Sequence, residues 1–145
     1  MNETDLLKFK NDIIRKFAYL IRMLNKELKK DIKRKGRVDT GLMMNTTKVK
    51  KLRFKVSQVL QRIQAKDGDN LDVRDTINEY ILFTTNYYVY QDLGTSKIRA
   101  ARFTRDTILK RHIIDLILET QSMIIEYTIL VQFEGIGDEK TGLTS

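Results

Sequence analysis

The chain of 145 residues has no cysteine, which excludes a disulfide framework, a thiolate metal site and a cysteine nucleophile. Its only histidine, His112, lies between Arg111 and Ile113 with no second ligand type at metal-site spacing. A packed or surface histidine therefore accounts for it better than catalysis or metal binding. Glycine is scarce, and Gly68, Gly94, Gly135 and Gly137 do not fall into any phosphate-cradling pattern. No apolar run approaches the roughly 18 residues of a membrane span; the longest, Ile124 to Phe133, is interrupted by Glu126. The opening MNETDLL is polar and acidic, unlike a signal or transit peptide. No Ser-His-Asp arrangement can be assembled. No catalytic residue, metal ligand or cofactor is assigned, and a non-enzymatic role is expected.

What the chain does have is charge in one place. Residues 22–55 carry 13 Lys and Arg against Glu27, Asp31 and Asp39, net +10, whereas residues 56–145 are mildly acidic. The molecule is electrically polarised. Lys29, Lys30, Lys33, Arg34, Lys35 and Arg37 form the densest cluster and are the candidates for meeting DNA or an acidic protein partner. A solvated helix face is the bland alternative. Phe54, flanked by Arg53 and Lys55, is more simply a core residue of a strand than a base-stacking platform.

The periodicity is that of an α+β domain. Thr4 is a candidate N-cap, and Leu6, Leu7, Ile13, Ile14, Phe17, Leu20, Ile21, Leu24, Leu28 and Ile32 recur at helical spacing. With no proline in the chain, Gly36 supplies the stop. A helix over residues 5–35 would be about 46 Å long, so it must bend or project beyond a small sheet. Leu52, Phe54 and Val56 alternate with polar residues as a strand, which Val59, Gln61 and Ile63 continue or neighbour. Asp67-Gly68 signals a hairpin turn. Residues 71–80 read as either helix or strand, and Ile81, Phe83 and Thr85 as a strand. A tight turn is expected around Gly94-Thr95-Ser96.

A second long helix begins near Phe103, with Leu109, Ile113, Leu116, Ile117, Thr120, Ile124 and Tyr127 facing inward. Residues 128–133 are β-branched enough to leave it as an extended arm. The expected architecture is a long N-terminal helix, a small antiparallel sheet, a long C-terminal helix packed on it and an extended C-terminal arm. Residues 1–133 form one domain and 134–145 a polar, flexible tail.

Asp39-Thr40-Gly41 is a tripeptide that aspartic proteases use to pair two carboxylates over a water. Here it follows a basic helix rather than an apolar strand, and Leu42 follows it where a small residue is usual. The simpler reading is a turn in which Gly41 takes a conformation other residues resist, while Asp39 and Thr40 cap it.

Two segments carry a resemblance. Arg37-Val38-Asp39-Thr40-Gly41-Leu42, with Asn45-Thr46, resembles the V-D-T-G-x-L-x-x-S segment of the tail-completion (head–tail joining) proteins of tailed bacteriophages. About forty residues later, Asn86-Tyr87-Tyr88-Val89-Tyr90-Gln91-Asp92-Leu93-Gly94-Thr95-Ser96 is similar to that family's Y-A-x-Y-x-E-x-G-T-S segment. Ala101-Arg102-Phe103 and the helix beyond it resemble the closing element, so the likeness spans roughly residues 30–125. Gln91-Asp92 stands in place of the family's Glu, and its prolines are absent. The resemblance implies a ring-forming virion protein at the head–tail junction or in the tail, made in the bacterial host cytoplasm. Its partners would be copies of itself, portal, adaptor or other connector proteins and tail proteins, with packaged DNA nearby and no membrane. Asp39, Thr40, Gly41 and Leu42 would shape one interface loop. Tyr87, Tyr90, Gly94 and Thr95 would shape another, packed beside the first.

Overall fold

A computed structural model describes residues 2–36, 40–64 and 72–133. Helix α1 spans Glu3–Lys35 and opens on Asn2, whose side-chain oxygen accepts from the Asp5 amide at 2.9 Å. The cap is thus two residues earlier than the sequence suggested, because Asn2 offers the same oxygen to the same orphan donors. Gly36 closes the helix in the left-handed region, φ +58, with its amide on the Lys33 carbonyl.

After α1 come α2 (Thr40–Thr46), β1 (Lys48–Phe54), α3 (Val56–Gln64), a 3-10 turn (Val73–Thr76) and β2 (Ile77–Phe83). Helices α4 (Asn86–Leu93), α5 (Phe103–Ile108) and α6 (Arg111–Phe133) complete the described chain. The expected plan of long helix, small antiparallel sheet and long helix is the one observed, with more helix than the alternation implied.

Helices α1 and α6 run antiparallel, since the partner numbers fall as α1 advances. Phe9 meets the Tyr127 ring, Lys16 meets Glu119 at 2.5 Å, and Glu27 meets Lys110 at 2.9 Å. Ile13, Leu20, Leu24, Leu28 and Ile32 are fully buried in this seam, opposite Ile113, Ile117, Ile124 and Val131. Each contributes about 1.5–3 kcal/mol of transfer free energy. Leu7 and Ile14 lie one step off that stripe and are exposed, so they do not belong to it as expected. Buried residues run from Leu6 to Ile32 along α1. The helix packs on α5 and α6 as well as on α2 and β1.

The two strands pair antiparallel, Lys48 opposite Phe83 and Phe54 opposite Ile77, with irregularities after Val49 and Arg53. The irregularity after Val49 lets Val49 and Leu52, three positions apart, share the buried side with Phe54. A lone pair of strands is marginal in water. Here Phe54 stacks on Phe17 of α1 with centroids 5.5 Å apart, and the Asn25 side chain accepts from the Val49 amide at 2.6 Å.

Several expectations change. Val56 starts α3 rather than ending the strand, and Val59 and Gln61 are helical too. The strands are joined by residues 55–76, including a helix, not by a tight hairpin; Asp67-Gly68 lies outside the described residues. The ambiguous segment resolves into the 3-10 turn, capped by Asp72 on the Arg74 amide, and the start of β2. In β2, Ile81 and Phe83 face outward.

The second helix is broken. It is split into α5 and α6 at Leu109-Lys110, and Leu109 is turned outward while Lys110 reaches back to Glu27. Residues 128–133 stay in α6 rather than forming an extended arm, with Val131 fully buried. Packing overrides their β-branched preference. The tail 134–145 lies outside the described residues. No helix among the described residues is long and apolar enough to cross a membrane.

Candidate functional site

Where they are described, the two motif segments are largely helical rather than loops. Thr40 and Gly41 open α2, and Gly41 has an ordinary helical backbone with open space where a side chain would go. The expected special conformation is absent there. Leu42 is exposed, and Arg37 and Asp39 lie outside the described residues. The aromatic segment is helix α4 rather than a loop. Tyr87, Val89, Tyr90 and Leu93 are solvent-exposed on it. Of its three tyrosines only Tyr88 is buried, its ring 5.5 Å from Phe103 and its hydroxyl 2.6 Å from the Thr104 hydroxyl. Burial pushes the Tyr88 and Tyr80 hydroxyls well above the ordinary tyrosine range, so both stay neutral.

Gly94 is where glycine is required. Its φ is +78 with ψ 170, and an added Cβ would lie 2.9 Å from the Ala100 nitrogen and the Ile98 oxygen. This close approach lets the chain fold back beneath α4. The Ala101 amide donates to the Gln91 carbonyl at 2.7 Å and the Arg102 amide to the Asp92 carbonyl at 3.1 Å. The Thr95 hydroxyl accepts from the Lys97 and Ile98 amides, and the Asp92 carboxylate from the Thr104 amide.

The end of α1 locks onto this fold-back. Lys35 donates to the Ala101 carbonyl, lies 2.6 Å from Asp106 and 3.2 Å from the fully buried Asp31, and sits over the Phe103 ring. Arg34 pairs with Asp31 at 2.6 Å. One turn earlier, buried Glu27 gathers Lys110 at 2.9 Å, His112 at 3.2 Å and Lys30 at 3.5 Å. Burial pushes the Glu27 carboxyl up, but the Lys110 and Lys30 ammonium groups and the hydrogen bonds from Lys110 and His112 outweigh it and hold the pKa at about 2. His112 is thus a hydrogen-bond partner of Glu27, on the surface side of this cluster.

This inward use of acids has a consequence for the outer face. Glu27 and Asp31, the acids of the second half of α1, both turn into the protein, so no carboxylate there offsets the opposite side. Arg22, Lys26, Lys29 and Lys33, spaced by four, three and four residues, form an exposed stripe there. Lys26, Lys29 and Lys33 make no ion pair among the described residues. Lys29 also borders a groove of about 470 Å³ lined by Asn25, Asn45, Thr46, Thr47, Lys48, Lys50 and Phe83. Lys48 stands directly across the strands from Phe83, and the Lys50 ammonium lies 5.8 Å from that ring's centre.

Of the six expected basic contacts, Lys29 and Lys33 are therefore open. Lys30 and Arg34 are engaged at their heads though solvent-accessible, and Lys35 is an internal structural ion rather than a contact residue. Lys48, Lys50 and Phe83 were missed as a group. The aromatic flanked by charges, Phe54, is 2% exposed, whereas Phe83, far along the chain, is 58% exposed beside the lysines. Only strand pairing could reveal it. Among the described residues no cluster of three or more His, Asp or Glu is placed to hold a metal ion.

No family model, curated protein or solved structure matches this chain.

Proposed function

We propose that the chain is a structural, ring-forming subunit of the head–tail connector or tail-completion complex of a tailed bacteriophage, a virion protein joining portal or adaptor to tail around the DNA channel. The carrying observation is the ordered motif pair, RVDTGLMMNT and NYYVYQDLGTS, in a chain arranged as long helix, sheet, long helix. The reading rests on these segments and not on overall similarity. It is supported by α4, an eight-residue helix that leaves Tyr87, Val89, Tyr90 and Leu93 in solvent. A ring subunit needs two different patches that are complementary to each other, and exposed apolar groups grouped on one short helix suit one of them. Native mass spectrometry and negative-stain imaging, alone and with portal and adaptor partners, test it. Closed rings or incorporation into the connector are expected. A monomer that ignores those partners sinks the idea.

A second reading is favoured by the unpaired stripe: sequence-independent nucleic-acid contact through residues 22–55. The two are compatible, because a ring around a DNA channel can touch its contents.

A further inference from the structure

The groove between α1, the end of α2 and the two strands has a composition that a merely solvated basic face lacks. Three exposed lysines, Lys29, Lys48 and Lys50, come from two different elements and converge on one concavity. No carboxylate lines it. The groove's volume is on the scale of a small-ligand site, about 300–1,000 Å³. Its wall includes a phenylalanine ring that is more than half exposed. Leaving such a ring in solvent between ammonium groups forgoes burial energy. A ligand with both negative charge and a flat unpaired ring would recover it.

Of the four neutral polar side chains in the groove, Asn25, Thr46 and Thr47 are already engaged, and Asn45 is exposed. Asn25 is bonded to the Val49 backbone, the Thr46 hydroxyl donates to the Leu42 carbonyl, and the Thr47 and Thr84 hydroxyls bond each other at 2.6 Å. Asn45 alone remains to read the edge of a base, so recognition would be mainly by charge and stacking, which every base can satisfy.

We propose that this groove binds single-stranded nucleic acid, with Lys29, Lys48 and Lys50 holding backbone phosphates and an unpaired base stacked on Phe83. The single strand follows from the ring: in a duplex the base faces are already stacked on one another and cannot reach Phe83. An acidic peptide would satisfy the lysines but has no need of the ring. The proposal rests on the nucleic-acid reading and narrows it to one site and one form of the polymer.

Fluorescence anisotropy with labelled oligo(dT) of about 15 nucleotides, within the usual site size for such grooves, tests it beside a duplex of equal length across a salt series. Binding of the single strand is expected at about 50 mM salt. The triple variant Lys29→Gln, Lys48→Gln, Lys50→Gln should flatten the salt slope by about two. Phe83→Ala should weaken the single strand roughly ten-fold with its slope unchanged, spare the duplex, and be rescued by Phe83→Tyr. Because Phe83 is exposed, its variants should unfold at the wild-type urea midpoint.

If strand and duplex bind alike and Phe83→Ala changes neither, nucleic-acid contact stands and this site falls. If neither binds at that salt, both readings fall. Displacement of oligo(dT) by polyglutamate at equal charge concentration would overturn the proposal in favour of an acidic protein partner.

Discussion

Replacing Gly94 by alanine tests whether the fold-back beneath α4 is as tightly determined as its geometry implies. At φ +78 and ψ 170 the backbone occupies a region essentially confined to glycine, worth about 1–3 kcal/mol of strain for any other residue. The new Cβ would also meet the Ala100 nitrogen and the Ile98 oxygen at 2.9 Å, and Ala100 Cα at 3.1 Å. All three are backbone atoms, pinned by the Thr95-to-Ile98 and Ala101-to-Gln91 hydrogen bonds, so no side chain can swing aside. Overpacking of this kind adds about 1–3 kcal/mol. The total is about 2 to 6 kcal/mol. With a urea slope of about 2 kcal/mol per molar, the unfolding midpoint should fall by roughly 1 to 3 M, read by far-ultraviolet circular dichroism. Gly41→Ala is the internal control. Gly41 is helical with nothing within 4 Å of the added atom, so its midpoint should hold or rise by at most about 1 kcal/mol equivalent. Equal behaviour of the two variants would refute the assignment of Gly94 as the position that needs glycine.

The buried ion clusters predict a pH dependence. Glu27 is held at about 2 against an ordinary 4.5, and Asp106 is lowered too, with Lys35 and Arg105 overcoming the upward push of burial. A depressed carboxyl contributes stability above its unfolded pKa and loses it as pH falls through the folded one. Urea midpoints should therefore be level near neutrality and drop from about pH 4.5 toward pH 2; Glu27→Gln should flatten much of that drop, and a wild-type profile unchanged to pH 2.5 would contradict it. Lys35→Met should cost about 3 kcal/mol by removing the ammonium that Asp31, Asp106 and the Ala101 carbonyl share and leaving the buried Asp31 with Arg34 alone, whereas Lys30→Met, at an exposed ammonium, should cost less than about 1 kcal/mol. Similar midpoints for those two variants would show that Lys35 is no more structural than its neighbour. Tyr90→Ser with Leu93→Ser should leave the midpoint within about 0.5 kcal/mol yet abolish ring formation, since both residues are exposed in the monomer. Rings that survive the double change would move the subunit contact away from α4.

The sequence by itself determined the long elements. The spacing of Leu6, Ile13, Leu20, Leu24, Leu28 and Ile32 could bury itself only as one helix face, and Gly36 had to end it. It also determined the charge polarity, because net charge does not depend on folding. Short segments were decided by tertiary structure. Val56 to Gln61 and Asn86 to Leu93 are too brief for periodicity to separate helix from strand or turn, and packing chose helix for both. Tertiary structure alone also chose between two glycines that look alike in sequence: Gly94 is pressed against a returning backbone, while Gly41 is not. It sorted the lysines as well, turning Lys35 inward to Asp31 and leaving Lys29 beside Lys48, Lys50 and Phe83. That sorting follows from the antiparallel packing of α1 on α6 and the pairing of β1 with β2. Both are contacts between residues far apart in the chain, which no local pattern of side chains encodes.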